Sequence, residues 1–248
     1  MVEGKVVIVT GGGKGIGRHI ARTFVDAKAK VILAEIDAPS LARTASELRE
    51  QGGDVLAVET DVRREDSVRQ MVAQTIDRFG RIDVLINNAA IVTHSHLWPD
   101  PVWTRPWPLV RDMSLEFWNR VIETNLTGTF LCSKHVIPQM ERQRSGHIVT
   151  FPGGGPTHKL GVLAYSVTKQ AVTVFARFLA EEVRESNICV IAVSPGATVG
   201  TEDAPPEVMK SYPGVEAVGN RYVLAAEAPM EMSGHSLTVR DGVLQIAG

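Results

Sequence analysis

Tyr165 and Lys169, in the stretch YSVTK, stand one helical turn apart, so a helix there carries both on one face. A phenol, with an ordinary pKa of about 10, is a poor base at neutral pH unless a nearby cation stabilises the phenolate. Lys169 is placed to be that cation, and such a pair can pass a proton to or from an oxygen. In front of the pair, the strand-like run HIVTF breaks into Pro152, Gly153, Gly154 and Gly155, a link without a hydroxyl.

A second set of residues, near the N-terminus, suits an anion. The apolar run KVVIVT leads into TGGGKGIG, residues 10 to 17, and a helical pattern follows at once. Gly11, Gly15 and Gly17 permit a tight turn, close backbone approach to a pyrophosphate, and close packing of helix on strand. Around Lys14 and Ile16 the free amides and the helix dipole then face the anion. Glu35, at the end of the second strand, can accept hydrogen bonds from both adenosine ribose hydroxyls and would repel a 2′-phosphate, which favours NAD over NADP. Lys14 argues the other way, because a lysine in the loop can pair with a 2′-phosphate. Asp61 and Val62, after the third strand, are placed to flank an adenine.

These residues need elements to hold them. Short β-branched runs alternate with longer helical stretches: KVVIVT, KVILAEI, DVLAVET, IDVLIN, GHIVTF, ICVIAV and HSLTV. Their nearly continuous apolar character predicts strands buried on both faces. Val68, Met71, Val72, Ile76 and Phe79 repeat at helical spacing before Gly80, and Ala171, Val174, Phe175, Phe178, Leu179 and Val183 form a second stripe. Strand, helix, strand order predicts an α/β fold: one domain over 1–248 with a doubly wound parallel sheet of about seven strands, helices on both faces and ligands beyond the carboxyl ends of the strands.

Composition narrows the partners. The 248 residues, 44% hydrophobic, suffice for one large core. A formal net charge of -2 offers no basic excess for a phosphate backbone, so no nucleic-acid partner is expected. Two cysteines, Cys132 and Cys189, sit in separate apolar runs, which suits a reducing compartment. The chain runs from Met1 into a strand without a leader, and no stretch is long enough to span a membrane, so a cytoplasmic protein is expected.

Taken with NNAA (87 to 90), ETNLTG and SPGAT (194 to 198), these motifs make the chain similar to the classical short-chain dehydrogenase/reductase family along essentially its whole length. The resemblance implies a Rossmann fold, a homotetramer or homodimer, and an oxidoreductase acting on a small alcohol or ketone with a nicotinamide cofactor. Tyr165 would exchange a proton with the substrate oxygen. Lys169 would bind the nicotinamide ribose and lower the tyrosine pKa. Asn125 matches the family's helix asparagine that holds a proton-relay water, although a buried, satisfied amide is the plainer reading of that residue. Asn88 and Ala89 belong to the cofactor wall, and Pro195, Gly196 and Thr198 would lie by the nicotinamide carboxamide.

Two departures stand out. The family's catalytic serine, shortly upstream of the tyrosine, is replaced here by Pro152 or Gly153. Removing one such donor typically costs about 10²- to 10³-fold in rate. Thr150, Thr157 or His158 could replace it, the glycines could admit a bulky substrate or a water, or the chain could bind a dinucleotide without useful turnover. The second departure is a Trp/Pro-rich insertion at about 93–113 that carries Trp98, Trp103 and Trp107. Its indoles suit a bulky or aromatic substrate, and equally a subunit contact. His94 and His96 form an HxH pair with no third ligand at metal spacing, so no metal is expected.

Overall fold

The computed structural model describes residues 1–91, 108–153, 162–196, 199–202, 210 and 212–247. In chain order the principal elements are β1 (Val6–Thr10), α1 (Gly15–Asp26), β2 (Lys30–Glu35), α2 (Ala38–Glu50), β3 (Val55–Glu59), α3 (Glu65–Phe79) and β4 (Val84–Asn87). They continue with α4 (Leu115–Ile122), a π-helical turn (Glu123–Thr127), α5 (Gly128–Gln143), β5 (Gly146–Thr150), α6 (Leu163–Glu182), β6 (Ile188–Val193), α7 (Arg221–Ala225), β7 (Ser236–Arg240) and β8 (Val243–Ile246).

Among the described residues these strands form one sheet in the order β3-β2-β1-β4-β5-β6-β7-β8. Neighbours pair in parallel except β7 with β8. Strand side chains alternate between two cores. Val7 and Val9 pack towards α1, α2 and α7 with Ile20, Phe24, Leu41 and Tyr222; Val6 and Ile8 pack towards α3, α5 and α6 with Met71, Val136 and Leu179. Both faces of the sheet are therefore covered, as the apolar strand runs require.

The seven expected strands are present, and an eighth is added. Asp241 and Gly242 both take positive φ (51° and 75°), the geometry of a two-residue hairpin turn, and fold β8 antiparallel onto β7. Of the tryptophan-rich insertion, residues 92–107 lie outside the described residues; Val110–Asp112 form a short 3₁₀ turn.

Strand order reverses between β1 and β4, which opens a crevice at their carboxyl ends. Side chains stitch this point together. Thr10 Oγ1 donates to Ile86 O (3.2 Å) and accepts from the Ala89 amide (3.0 Å), while Asn88 Nδ2 donates to Thr10 O (2.9 Å) and Gly11 O (3.1 Å).

Candidate active site

One cavity begins in that crevice and runs the length of the strand ends. Its walls bring together Lys14, Gly15 and Ile16 of the loop, Glu35, Asp61 and Val62, and then Tyr165 and Lys169. At the loop, a Cβ added to Gly17 would lie 1.9 Å from Gly11 O, so α1 can approach β1 this closely only through glycine. The Gly15 amide, at the N-terminus of α1, donates to Glu202 Oε2 (3.0 Å). That carboxylate stands where an anion meets a helix N-terminus, so the loop accepts the kind of charge a pyrophosphate brings.

Glu35 is buried at the end of β2, where its carboxylate accepts three backbone amides: Gly13 (3.1 Å), Ile36 (2.9 Å) and Asp37 (3.1 Å). It lines the cavity from this braced position. Asp61 is gripped by Arg63 through Nε (2.9 Å) and Nη2 (2.7 Å). Burial opposes its charge, but the Arg63 bonds prevail and hold the carboxyl below its ordinary range. With Val62 it forms the far wall.

At the other end, α6 presents Tyr165 and Lys169 on one face. A third apolar cluster, Ile91, Phe117, Val121 and Ala164 with Met113 and Trp118, packs against Tyr165. Burial pushes the Tyr165 phenol above its ordinary value and the Lys169 ammonium down to about 8. Lys169 Nζ sits over the Tyr165 ring, 5.6 Å from its centroid.

Among the described residues no group hydrogen-bonds the Tyr165 hydroxyl. Thr150 is fully buried and donates to Ile191 O across the sheet (3.3 Å), so it is not the replacement donor. Thr157 and His158 lie outside the described residues. Pro152 lines the cavity. At Gly153 a side chain is a tight fit that a small shift of the lysine stem would admit: its ideal Cβ would stand 3.4 Å from Tyr165 Oη and 3.3 Å from Lys169 Cγ.

Asn125 occupies the π-helical turn between α4 and α5, a distortion common at functional sites. Its buried side chain is fully engaged, accepting from the Ile91 amide (2.7 Å) and donating to Ile91 O (3.1 Å) and Thr168 Oγ1 (3.1 Å). This geometry braces the chain after β4 against α6. Asn88, Ala89 and Pro195 line the cavity. Gly196 has a φ of +82°, and Arg221 Nη1 beside it donates to Pro195 O (2.7 Å). Trp98, Trp103, Trp107, His94, His96 and Thr198 lie outside the described residues. Among the described residues no three His, Cys, Asp or Glu side chains group as metal ligands.

Sequence reasoning passes over several wall residues: Thr60, Arg63, Ile91, Arg120, Thr124, Phe151 and Thr201. Phe151 stacks on the fully buried Tyr222 (4.5 Å between centroids, 12° between planes) and lies under Lys169 Nζ at 5.8 Å. Only the fold brings Tyr222, from beyond β6, to this place.

A doubly wound sheet with a glycine loop at its switch point and a Tyr–Lys pair across the crevice defines a dinucleotide-binding oxidoreductase architecture. The short chain dehydrogenase family profile matches residues 5–207. An oxidoreductase of Thermotoga maritima is 36% identical over 197 residues, 79% of this chain and 72% of that protein. The 3-oxoacyl-[acyl-carrier-protein] reductase of Synechocystis sp. is 36% identical over 203 residues, 80% and 77% of the two chains. A solved 7α-hydroxysteroid dehydrogenase, complexed with NADH and 7-oxo glycochenodeoxycholic acid, superposes with a TM-score of 0.82 at 28% identity, covering 97% of this chain and 94% of that one. The chain belongs to the short-chain dehydrogenases, oxidoreductases that act on CH–OH groups with a nicotinamide dinucleotide. Among the described residues no helix is long and apolar enough to cross a membrane.

Proposed function

We propose that this protein interconverts a bulky or aromatic secondary alcohol and its ketone with NAD. The observation that carries this reading is the single cavity lined at one end by Gly15 and Glu35 and at the other by Tyr165 and Lys169. The braced Glu35 carboxylate would hold the adenosine ribose, the Gly11 to Gly17 loop the pyrophosphate, and Asp61 and Val62 the adenine. Asn88, Ala89, Pro195, Gly196 and Thr198 would flank the nicotinamide half. When bound, the dinucleotide supplies or takes up the hydride.

This chain's own residues handle the proton. Tyr165, a phenol already protonated at neutral pH and shifted further upward by burial, would donate to a carbonyl oxygen, and in the reverse direction its phenolate would accept the alcohol proton. Lys169 would orient the nicotinamide ribose and stabilise the phenolate; Asn125 would hold Ile91 and α6 in register for that transfer. The missing serine leaves Pro152 and Gly153 beside the reacting oxygen, where substrate bulk, with Trp98, Trp103 and Trp107, would complete the wall.

One domain over 1–248 would carry the whole activity, as a homodimer or homotetramer in the cytoplasm. Exposed Phe130, Val167, Val174 and Phe178 on α5 and α6 support self-association.

A second reading, a dinucleotide-binding regulator without useful turnover, is favoured by the absence of a described hydrogen-bond partner for Tyr165. Calorimetric titration with NAD and NADP, followed by a panel of small and bulky secondary alcohols and ketones, separates the two. Tyr165→Phe is expected to lower turnover by about 10³-fold while leaving dinucleotide binding in place. Binding without Tyr165-dependent turnover across the panel would favour the regulator, and equal efficiency on small and bulky substrates would remove the preference for bulk. Light scattering on the same samples reports the assembly, and a monomer would sink that part of the proposal.

A further inference from the structure

The glycine loop carries a cation that the reading above leaves without a task. Lys14 lines the cavity wall with Glu35, close to where an adenosine ribose held by Glu35 would present its 2′ oxygen. Its ammonium is paired with Asp37, 2.5 Å away, and the two side chains are only 13% and 24% exposed. Asp37 Oδ2 also accepts from Ser40 Oγ (2.9 Å), and the Asp37 amide donates to Glu35 Oε1 (3.1 Å). The Lys14 bond, followed by that of Ser40, keeps the Asp37 carboxyl below its ordinary range, so it is charged at neutral pH. Among the described residues, Lys14 thus links the Glu35 corner of the cavity to the Asp37 carboxylate just behind it. The Lys14 ammonium and the Asp37 carboxylate form an ion pair beside the Glu35 carboxylate.

We propose that Asp37 is a specificity-determining residue that withholds Lys14 from a 2′-phosphate. For Lys14 to serve NADP, it would have to leave Asp37, and the released carboxylate would then face the phosphate beside Glu35. A 2′-hydroxyl makes no such demand, since it needs only an acceptor, which Glu35 supplies. The inference rests on the reading that Glu35 receives the adenosine ribose. It turns the loop lysine, ordinarily an argument for NADP, into part of the selection for NAD.

The test is calorimetric titration of the full chain with NAD and with NADP, for wild type, Asp37→Asn, Lys14→Met and the double variant. Asp37→Asn removes the charge while keeping the shape, and is expected to move the ratio of the two affinities towards NADP by about tenfold, the worth of one charge-assisted hydrogen bond. Adding Lys14→Met should abolish that gain. Asp37→Ser removes the charge with a different shape and should give the same shift, and thermal melting of both variants separates loosening of α2, whose N-cap residue Asp37 makes no side-chain cap bond, from loss of charge. An unchanged ratio in both single Asp37 variants, or a gain that survives Lys14→Met, overturns the proposal while leaving an NAD-preferring wild type intact. A wild type that binds neither dinucleotide, or prefers NADP, overturns the ribose reading itself and the inference with it.

Discussion

Two glycines mark the two ends of the cavity and meet opposite surroundings. A Cβ on Gly17 would fall 1.9 Å from Gly11 O, a backbone atom that accepts from Asn88 Nδ2 in a residue whose amide donates to Ala34 O. A Cβ on Gly153 would stand 3.3 to 3.5 Å from the flexible Lys169 stem and the Tyr165 hydroxyl. The proposed dinucleotide end is built from backbone: helix start, strand ends and a carboxylate held by three amides. The proposed reacting end is built from side chains, and burial moves both Tyr165 and Lys169 away from their charged forms. A site made of main chain is rigid and admits little change, whereas a site made of side chains leaves space in which its chemistry can be retuned.

Substitution at each glycine tests that contrast, and the largest effect is expected at the first. Gly17→Ala forces α1 away from β1, at a cost of about 3 kcal/mol from overpacking, and dinucleotide binding is lost. Thermal melting and calorimetry check it; a variant that binds NAD as wild type does would show that the loop is softer than the geometry says. Gly153→Ser should fold, because its φ lies outside the left-handed region and its tightest neighbour, Lys169 Cγ at 3.3 Å, belongs to a flexible stem that can give by a few tenths of an ångström. If a missing donor limits turnover, the new hydroxyl beside Tyr165 raises kcat by about 10²-fold. Unchanged kcat would mean that substrate or water already supplies the hydrogen bond.

The pH dependence should separate the ends further. Burial raises the Tyr165 phenol, so the phenolate needed for alcohol oxidation is scarce at pH 7 and grows about tenfold per pH unit below the phenol pKa. Initial oxidation rates are therefore expected to climb from pH 7 upwards, while ketone reduction, which uses the protonated phenol, holds steady and then falls. Dinucleotide binding at the backbone-built end should vary little over the same range. A flat oxidation profile would mean that another group moves the proton.

Much of this was legible in the chain itself. Buried parallel strands announce themselves by apolar runs, and the glycine loop, Glu35, Tyr165 and Lys169 stand at spacings that local geometry alone makes meaningful. Other parts were not. The Asp-Gly pair before VLQI is a local hairpin signal, yet the strand it leads into, β8, is short and mostly exposed and carries no buried apolar run to announce it. Phe151 reads as a strand residue until Tyr222, from beyond β6, is laid against it. Thr150 reads as a candidate donor until the pleat turns it towards Ile191. The upward shift of Tyr165 depends on the apolar cluster around Ile91 and Ala164, whose members come from three separate segments.

The sequence by itself determined the order of elements, the identity of the anion loop and the residues that meet at the crevice, because these follow from periodicity and from short-range backbone freedom. Only the tertiary structure decided how those residues are charged and held: that Glu35 is clamped by three amides, that Lys14 is spoken for by Asp37, and that Tyr165 and Lys169 are pushed towards neutrality. Burial and ion pairing are properties of neighbours brought together by folding, and no single stretch of chain contains them.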